Sequence, residues 1–240
     1  MKKILIYGGN GSVGSSVARI LHEKGYSLHL AGTQKERLEE VAKSVDATYT
    51  LADVRDPNSF EKVSSDAGKE LGGLVYAVGT INLKSLRRLT PDDFLADYRI
   101  NALGAVLAVQ ASLSALKKGG PGASVVLYSS VAARRGFSLH ASVGMAKAAV
   151  EGLTVSLAAE LAPGIRVNAV APSLLDDSRL SADILANPAA RENISKNHPL
   201  QRLGNTADIA AMTVFLLSPE ASWITGQVMG VDGGRSTITQ

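Results

Sequence analysis

The sequence predicts an α/β protein: one doubly wound, seven-stranded parallel sheet with helices on both faces. Three observations lead there. Short apolar runs recur seven times and alternate with longer amphipathic stretches. Within each run the apolar residues are continuous rather than alternating with polar ones, as expected of strands covered on both faces. The chain also has 240 residues with 45% hydrophobic content, enough to bury a large core in a single domain over 1–240.

The strands are read at 4–7, 27–31, 47–51, 74–78, 124–128, 165–170 and 227–231. The first follows two lysines but offers only four apolar residues before Gly8 stops the run, so it is a buried strand and not a secretion signal. Helices are expected at 12–24, 35–45, 57–68, 91–116, 140–161, 180–196 and 206–217, with Pro57 and Pro91 at starts and Gly25 at a stop. Right-handed crossovers between such elements give a Rossmann-type architecture, which binds ligands beyond the carboxyl ends of its strands. One segment, 173–200, departs from the strand–helix rhythm and follows the sixth strand at that end, so it is expected to act as a substrate lid.

Composition narrows the function. The net charge of +3 is small, and basic residues are scattered among acidic ones, which argues against a nucleic-acid partner. No stretch of about eighteen uninterrupted apolar residues occurs, so no membrane span is expected. The absence of cysteine excludes disulfides and thiolate chemistry and suits a reducing, cytoplasmic location, while four dispersed histidines suggest no metal cluster.

Between the first strand and first helix lies Tyr7-Gly8-Gly9-Asn10-Gly11-Ser12-Val13-Gly14. A backbone that must turn sharply and approach a pyrophosphate needs small residues, and free N–H groups at the helix start attract the anion. In this position the motif resembles the glycine turn of the short-chain dehydrogenase/reductase family, usually Thr-Gly-x-x-x-Gly-x-Gly, with Tyr7 in place of Thr and Ser12 in place of the middle glycine. The family resemblance covers nearly the whole chain and implies a homo-oligomer, tetramer or dimer, acting on a small-molecule substrate.

After the second strand, Gly32-Thr33-Gln34-Lys35 carries no carboxylate to accept a ribose 2′-hydroxyl. Thr33 can donate a hydrogen bond, and Lys35 and Arg37 can pair with a phosphate. NADP is therefore expected, with NAD as the other possibility. By resemblance Asp53, with Val54 after it, meets the adenine amino group, and Ala77-Val78-Gly79 follows the fourth strand where the family commonly has Asn-Ala-Gly. Tyr76 replaces another asparagine there and implies different packing, with a bulkier wall near the cofactor. Pro172-Ser173-Leu174 resembles the segment that touches the nicotinamide carboxamide, with Ser173 where glycine is usual.

The resemblance also assigns a catalytic set. Asn101 matches the asparagine that holds a water linked to the catalytic lysine, Ser130 the serine that bonds the substrate carbonyl, and Lys147 the lysine that binds the nicotinamide ribose. The family tyrosine, one helical turn before the lysine, is here Val143. Three groups are candidates for its role. His140, two turns before Lys147, has the spacing of the tyrosine in the enoyl-acyl-carrier-protein reductase branch and can carry a proton; Tyr98 lies one turn before Asn101; Tyr128 precedes Ser130 on the strand. The leading expectation is an NADP(H)-dependent oxidoreductase acting on a small carbonyl or activated enoyl compound through a non-standard proton donor. The alternative is a cofactor-binding pseudoenzyme, a sensor or assembly partner. A non-redox lyase or isomerase has no positive support.

Overall fold

A computed structural model describes residues 2–238. Seven parallel strands form one sheet in the order β3-β2-β1-β4-β5-β6-β7: β1 Lys3–Tyr7, β2 Leu28–Gly32, β3 Thr48–Leu51, β4 Leu71–Tyr76, β5 Ala123–Tyr128, β6 Ile165–Pro172 and β7 Val228–Val231. The order reverses at β1, which pairs with β2 on one side (Ile4 against Leu28) and β4 on the other (Ile4 against Gly73), and the crevice for a ligand opens there.

The alternation along β1 separates two cores. Leu5 and Tyr7 point into one, with Phe60, Leu74, Tyr76 and Val125, while Ile4 and Ile6 point into the other, with Val17, Leu30, Val75 and Val214. The helices α1 Ser12–Glu23, α2 Lys35–Ser44 and α9 Thr206–Leu217 cover the second core, and α3 Ser59–Ala67, α5 Gly104–Lys118 and α6 Ala141–Leu161 cover the first. Each fully buried Leu, Ile or Phe side chain contributes roughly 1.5–3 kcal/mol by leaving water, so both faces of the sheet hold the fold together.

Three expected elements differ in outline. The fourth strand starts at Leu71, earlier than the expected 74–78, and ends at Tyr76, so Ala77 and Val78 lie beyond it in the crevice. The helix expected at 91–116 is α4 Pro91–Tyr98, a π turn at Arg99–Leu103, and α5. The run Pro91–Lys118 is long and apolar enough to cross a membrane by length and hydropathy (1.3), yet half of it is buried inside the fold against β4, α3 and α6. The helix expected at 180–196 breaks into a 3₁₀ turn Arg179–Ser181, α7 Ala182–Leu185 and α8 Pro188–Lys196. Asn187 causes the break: its side chain accepts from the N–H groups of Ala189 and Ala190 and caps a new helix beginning at Pro188.

Capping differs between α1 and two other helices, α4 and α9. Thr90 with Asp93 and Asn205 with Asp208 form reciprocal capping boxes on α4 and α9. At α1 the cap position is Gly11, with no side-chain cap and no acidic residue in the first turn. Its leading N–H groups face the crevice without a side-chain acceptor.

Candidate active site

The glycine turn is packed to backbone distance. Gly8 has φ +77, and its N–H and that of Gly9 both donate to Ala31 O, at 2.8 and 3.0 Å. A Cβ on Gly8 would stand 2.6 Å from Ala77 O, and one on Gly14 2.2 Å from Gly8 O. Neither position admits a side chain, which brings the start of α1 against the ends of β1 and β4. Gly14 therefore supports the turn from beneath and does not line the cleft. Asn10, Gly11, Thr33, Gln34, Ala52 and Val54 line a cavity on the β2 side, together with Gly8, Ala77, Val78 and Gly79.

Asp53 is placed differently from its expected adenine contact. It does not line that cavity. Its carboxylate accepts from Arg55 Nε at 3.0 Å on both oxygens and from the Arg55 backbone N–H at 2.9 Å, so a tight local turn occupies both oxygens. Arg55 thereby holds the Asp53 carboxyl below the usual range. Neighbouring Ala52 and Val54 face the cleft instead.

On the other side of the turn, a second cavity is lined by Val13, Ala77, Val78, Gly79, Thr80, Ser130, Val143, Lys147, Pro172, Ser173 and Leu174. Lys147 reaches it from α6. Its Nζ donates to Tyr128 O at 2.8 Å, and it lies so close to Gly79 that a Cβ there would be 3.2 Å from Nζ and 3.0 Å from Asn101 Oδ1. Burial pushes the Lys147 ammonium down to about 8, opposed by the nearby charge of Asp97.

Asp97 is a residue that sequence reasoning passed over. It is 2% exposed. Its Oδ1 accepts from Thr80 Oγ1 at 2.7 Å, while Oδ2 is buried without a partner. Asn101 sits in the π turn and donates from Nδ2 to both Thr80 Oγ1 and Asp97 O at 2.8 Å, and its Oδ1 accepts from the Thr80 N–H at 3.3 Å. The π turn presents Asn101 toward Lys147, an arrangement often found where a helix contributes to function. Tyr76 braces that turn. It is buried in the core with its hydroxyl donating to Ile100 O at 2.7 Å, so it forms no wall of the cofactor cleft, contrary to expectation.

Ser130 follows β5 and caps a short turn, its Oγ accepting from the Ala132 N–H at 3.2 Å; its hydroxyl proton is free for a ligand. Val143 is 4% exposed and lines both this cavity and an adjoining one with Ile81, Leu83, Val131, Phe137, Ile184 and Ile194. His140, the residue before α6, lines the adjoining cavity with Arg235. Its Nδ1 lies 2.7 Å from Ser138 O, a carbonyl that can only accept, so Nδ1 carries the proton. Only the imidazolium then has an Nε2–H to give. Tyr98 is exposed on α4 and lines neither cavity. The Tyr128 hydroxyl is turned away to Thr213 on α9, 2.7 Å off, with burial raising its pKa well above the ordinary value, and it contributes only its carbonyl to the site.

Segment 173–200, the expected lid, is tied to the crevice by polar contacts that the sequence did not suggest. The Arg179 N–H donates to Ser12 Oγ at 3.2 Å, and its guanidinium to Asn10 O at 2.6 Å and Gln34 Oε1 at 3.1 Å. Ser173 donates to His198 Nε2 at 2.8 Å, since His198 Nδ1 must give its proton to Ile194 O. Asp177 caps α9 through Thr206 and Asp176 pairs with Arg191, and of the four acidic residues in 173–200 (Asp176, Asp177, Asp183 and Glu192) none lines these cavities.

Comparison with known proteins agrees with the geometry. The family model described as Enoyl-(Acyl carrier protein) reductase matches residues 8–236. The chain is 32% identical to the peroxisomal 2,4-dienoyl-CoA reductase of Saccharomyces cerevisiae over 97% of this chain and 83% of the relative. It is 31% identical to the 3-oxoacyl-[acyl-carrier-protein] reductase of Bos taurus over 97% of each. A short-chain type dehydrogenase/reductase from Mycobacterium ulcerans superposes with TM-score 0.92 at 27% identity, covering 98% of this chain and 90% of that one. The chain belongs to the short-chain dehydrogenase/reductase family of oxidoreductases.

Proposed function

We propose that this protein is an NADPH-dependent reductase of an acyl thioester, acting on a carbonyl or conjugated double bond next to the thioester. One observation carries the substrate class: the cavity beyond Val143 is walled mostly by aliphatic and aromatic side chains, with Ser130, His140, Ser173 and Arg235 as its polar members and none of the lid's acidic residues among them. Such a wall suits an acyl chain with a few polar contacts at one end better than a polyol. The relatives named for 2,4-dienoyl-CoA and 3-oxoacyl substrates point the same way.

The residues present fit a nicotinamide dinucleotide. The turn at Gly8 and Gly14 leaves room for backbone alone, and the uncapped N–H groups of α1 suit a pyrophosphate. Thr33 and Val54 would face the adenosine, and Gly79, Pro172 and Leu174 the nicotinamide. The dinucleotide supplies the hydride when bound. Lys147 holds a positive charge at the cleft floor, and Asp97 opposes the loss of that charge on burial. Ser130 donates its free hydroxyl to the substrate oxygen and stabilises the charge that develops there. Lys147 and Asn101 share the floor beside Gly79.

Val143, in the position of the family tyrosine, can donate nothing, so the proton comes from elsewhere. His140 borders the same cavity as Val143 and supplies it in the imidazolium form. A conjugated double bond places less demand on this donor than a ketone does. Its enolate oxygen needs stabilisation by Ser130 and protonation follows at carbon. NADPH consumption against a panel of enoyl, dienoyl and 3-oxoacyl thioesters tests the reading. Turnover of enoyl substrates above 3-oxoacyl ones is the expected result, and no turnover of any would overturn it.

Val143 also motivates a second reading, a cofactor-binding pseudoenzyme that senses or scaffolds. NADPH binding without turnover in the wild type, and turnover in Val143→Tyr, would establish it. The exposed apolar side chains of Leu103, in the π turn before α5, and of Met145 and Val155, on α6, suit association of this face between copies of the chain. Light scattering on the purified protein is expected to show a dimer or tetramer, and a monomer would refute this.

A further inference from the structure

Arg179 stands out among the charged residues. It belongs to the lid, yet its guanidinium lies over the β2 side of the cofactor crevice and lines that cavity with Thr33 and Gln34. Both of its side-chain contacts, Asn10 O and Gln34 Oε1, are uncharged oxygens, and among the described residues it forms no salt bridge. Burial lowers the pKa of Arg179, and the charge of Arg37 in the first turn of α2 lowers it further. Strand β2 runs out at Gly32, and the next residue is Thr33, a hydroxyl donor, rather than a carboxylate.

A guanidinium carries five N–H donors in a fixed fork and two are in use, so it can keep its hold on the glycine turn while binding an anion. Charge-assisted bonds to phosphate are roughly twice as strong as bonds to neutral oxygens. We propose that Arg179, with Thr33, forms a site for the 2′-phosphate of NADPH, so that the residue tying the lid to the glycine turn also reads the cofactor's phosphate. The inference rests on the reading of the protein as a dinucleotide-binding reductase and names the residue that would set its preference. It also accounts for Ser12, whose hydroxyl accepts the Arg179 backbone N–H and ties the lid to the turn.

Adenosine 2′,5′-bisphosphate and AMP serve as probes, because they differ only in the 2′-phosphate and need no turnover. Calorimetry on the full chain is expected to show the bisphosphate binding at least about tenfold tighter than AMP. Arg179→Gln should remove most of that difference while changing AMP affinity by less than about twofold, and Arg179→Lys should restore part of it. Amide exchange at residues 174–186 should slow with the bisphosphate but not with AMP, and the slowing should vanish in Arg179→Gln. Equal loss for both ligands would make Arg179 a structural tie and overturn the proposal, as would an unchanged bisphosphate affinity. NADPH and NADH binding in the wild type separates the two levels: failure to bind either refutes the dinucleotide reading as well, whereas tight binding of both with no effect of Arg179→Gln refutes the phosphate site alone.

Discussion

The two ends of the crevice treat their unusual residues differently. At the glycine turn and the carboxamide segment, Ser12 and Ser173 stand where the family usually has glycine, and each has acquired a partner: Ser12 accepts the Arg179 N–H, and Ser173 donates to His198. At α6, Val143 is packed among apolar neighbours and has no polar partner to acquire. The contrast shows how a fold absorbs substitution. A half-buried hydroxyl offers a donor and an acceptor, and a hydrogen bond made there contributes about 0.5–1.5 kcal/mol, so the serine ties neighbouring segments together. A buried valine makes no such bond, and the chemistry lost with it must be replaced from outside its own contacts.

The sharpest way to break the contrast lies in the glycine turn. Gly14→Val would place Cβ within 2.2 Å of a backbone carbonyl, which no side-chain movement relieves. NADPH affinity is expected to fall by more than about a hundredfold, measured by calorimetry, with circular dichroism reporting whether the fold survives. Val143→Tyr probes the other end. A general acid contributes typically ~10²–10⁴-fold, and part of that should appear in turnover of a 3-oxoacyl thioester, less with an enoyl one. An equal gain for both would mean that donor geometry, not substrate type, limits the wild type.

Smaller effects sharpen the same comparison. His140→Ala should lower enoyl turnover by roughly tenfold, because its ring borders the same cavity as Val143 and serves as the proton donor there. An unchanged rate would remove His140 from the mechanism. Lys147→Met should abolish turnover yet stabilise the fold at pH 7 by roughly 1–3 kcal/mol, since the buried ammonium is held near 8. The sign follows from proton binding: between pH 8 and the ordinary lysine value the unfolded chain binds the extra proton, so wild-type stability rises with pH there. The advantage of Lys147→Met in a denaturant titration should shrink across that window.

A last measurement concerns His29, a buried histidine remote from the chemistry, whose ring bonds Thr48 and Thr50 across β2 and β3. Burial lowers it to about 4, with Lys3 adding to the effect. Its contribution is complete above the ordinary histidine value and is lost as pH falls toward 4. The acid limb of thermal stability should therefore flatten in His29→Gln by up to a few kcal/mol.

Much of this was legible beforehand because strands buried on both faces leave continuous apolar runs, and all seven were found near their places. The fourth began earlier than expected because Gly72-Gly73 interrupts the apolar signal without ending the strand. The π turn was invisible, since its apolar pattern runs on as if the helix were unbroken. In the site, Lys147, Asn101, Ser130 and Gly79 come together: Gly79 and Ser130 follow the ends of β4 and β5, and α6 and the π turn bring Lys147 and Asn101 beside Gly79. Arg179 left no local trace, with its contact 169 residues away in sequence. Asp97 had a signal that went unread: it lies one turn before Asn101, on the same face. Asp53 was expected to meet the adenine amino group, and nothing in its motif signalled that Arg55, two residues on, would bond its carboxylate.

The π turn at Arg99–Leu103 accommodates one more residue than an α-helical turn of the same rise. Deleting one residue there would let α4 and α5 merge into a continuous α-helix with both flanks kept in phase, and the loss would fall on the turn itself. Asn101 would lose the bulged position that carries its side chain beside Lys147. The spacing of this segment is thus a reading frame for the active site: its side chains can be exchanged more safely than their number can be changed.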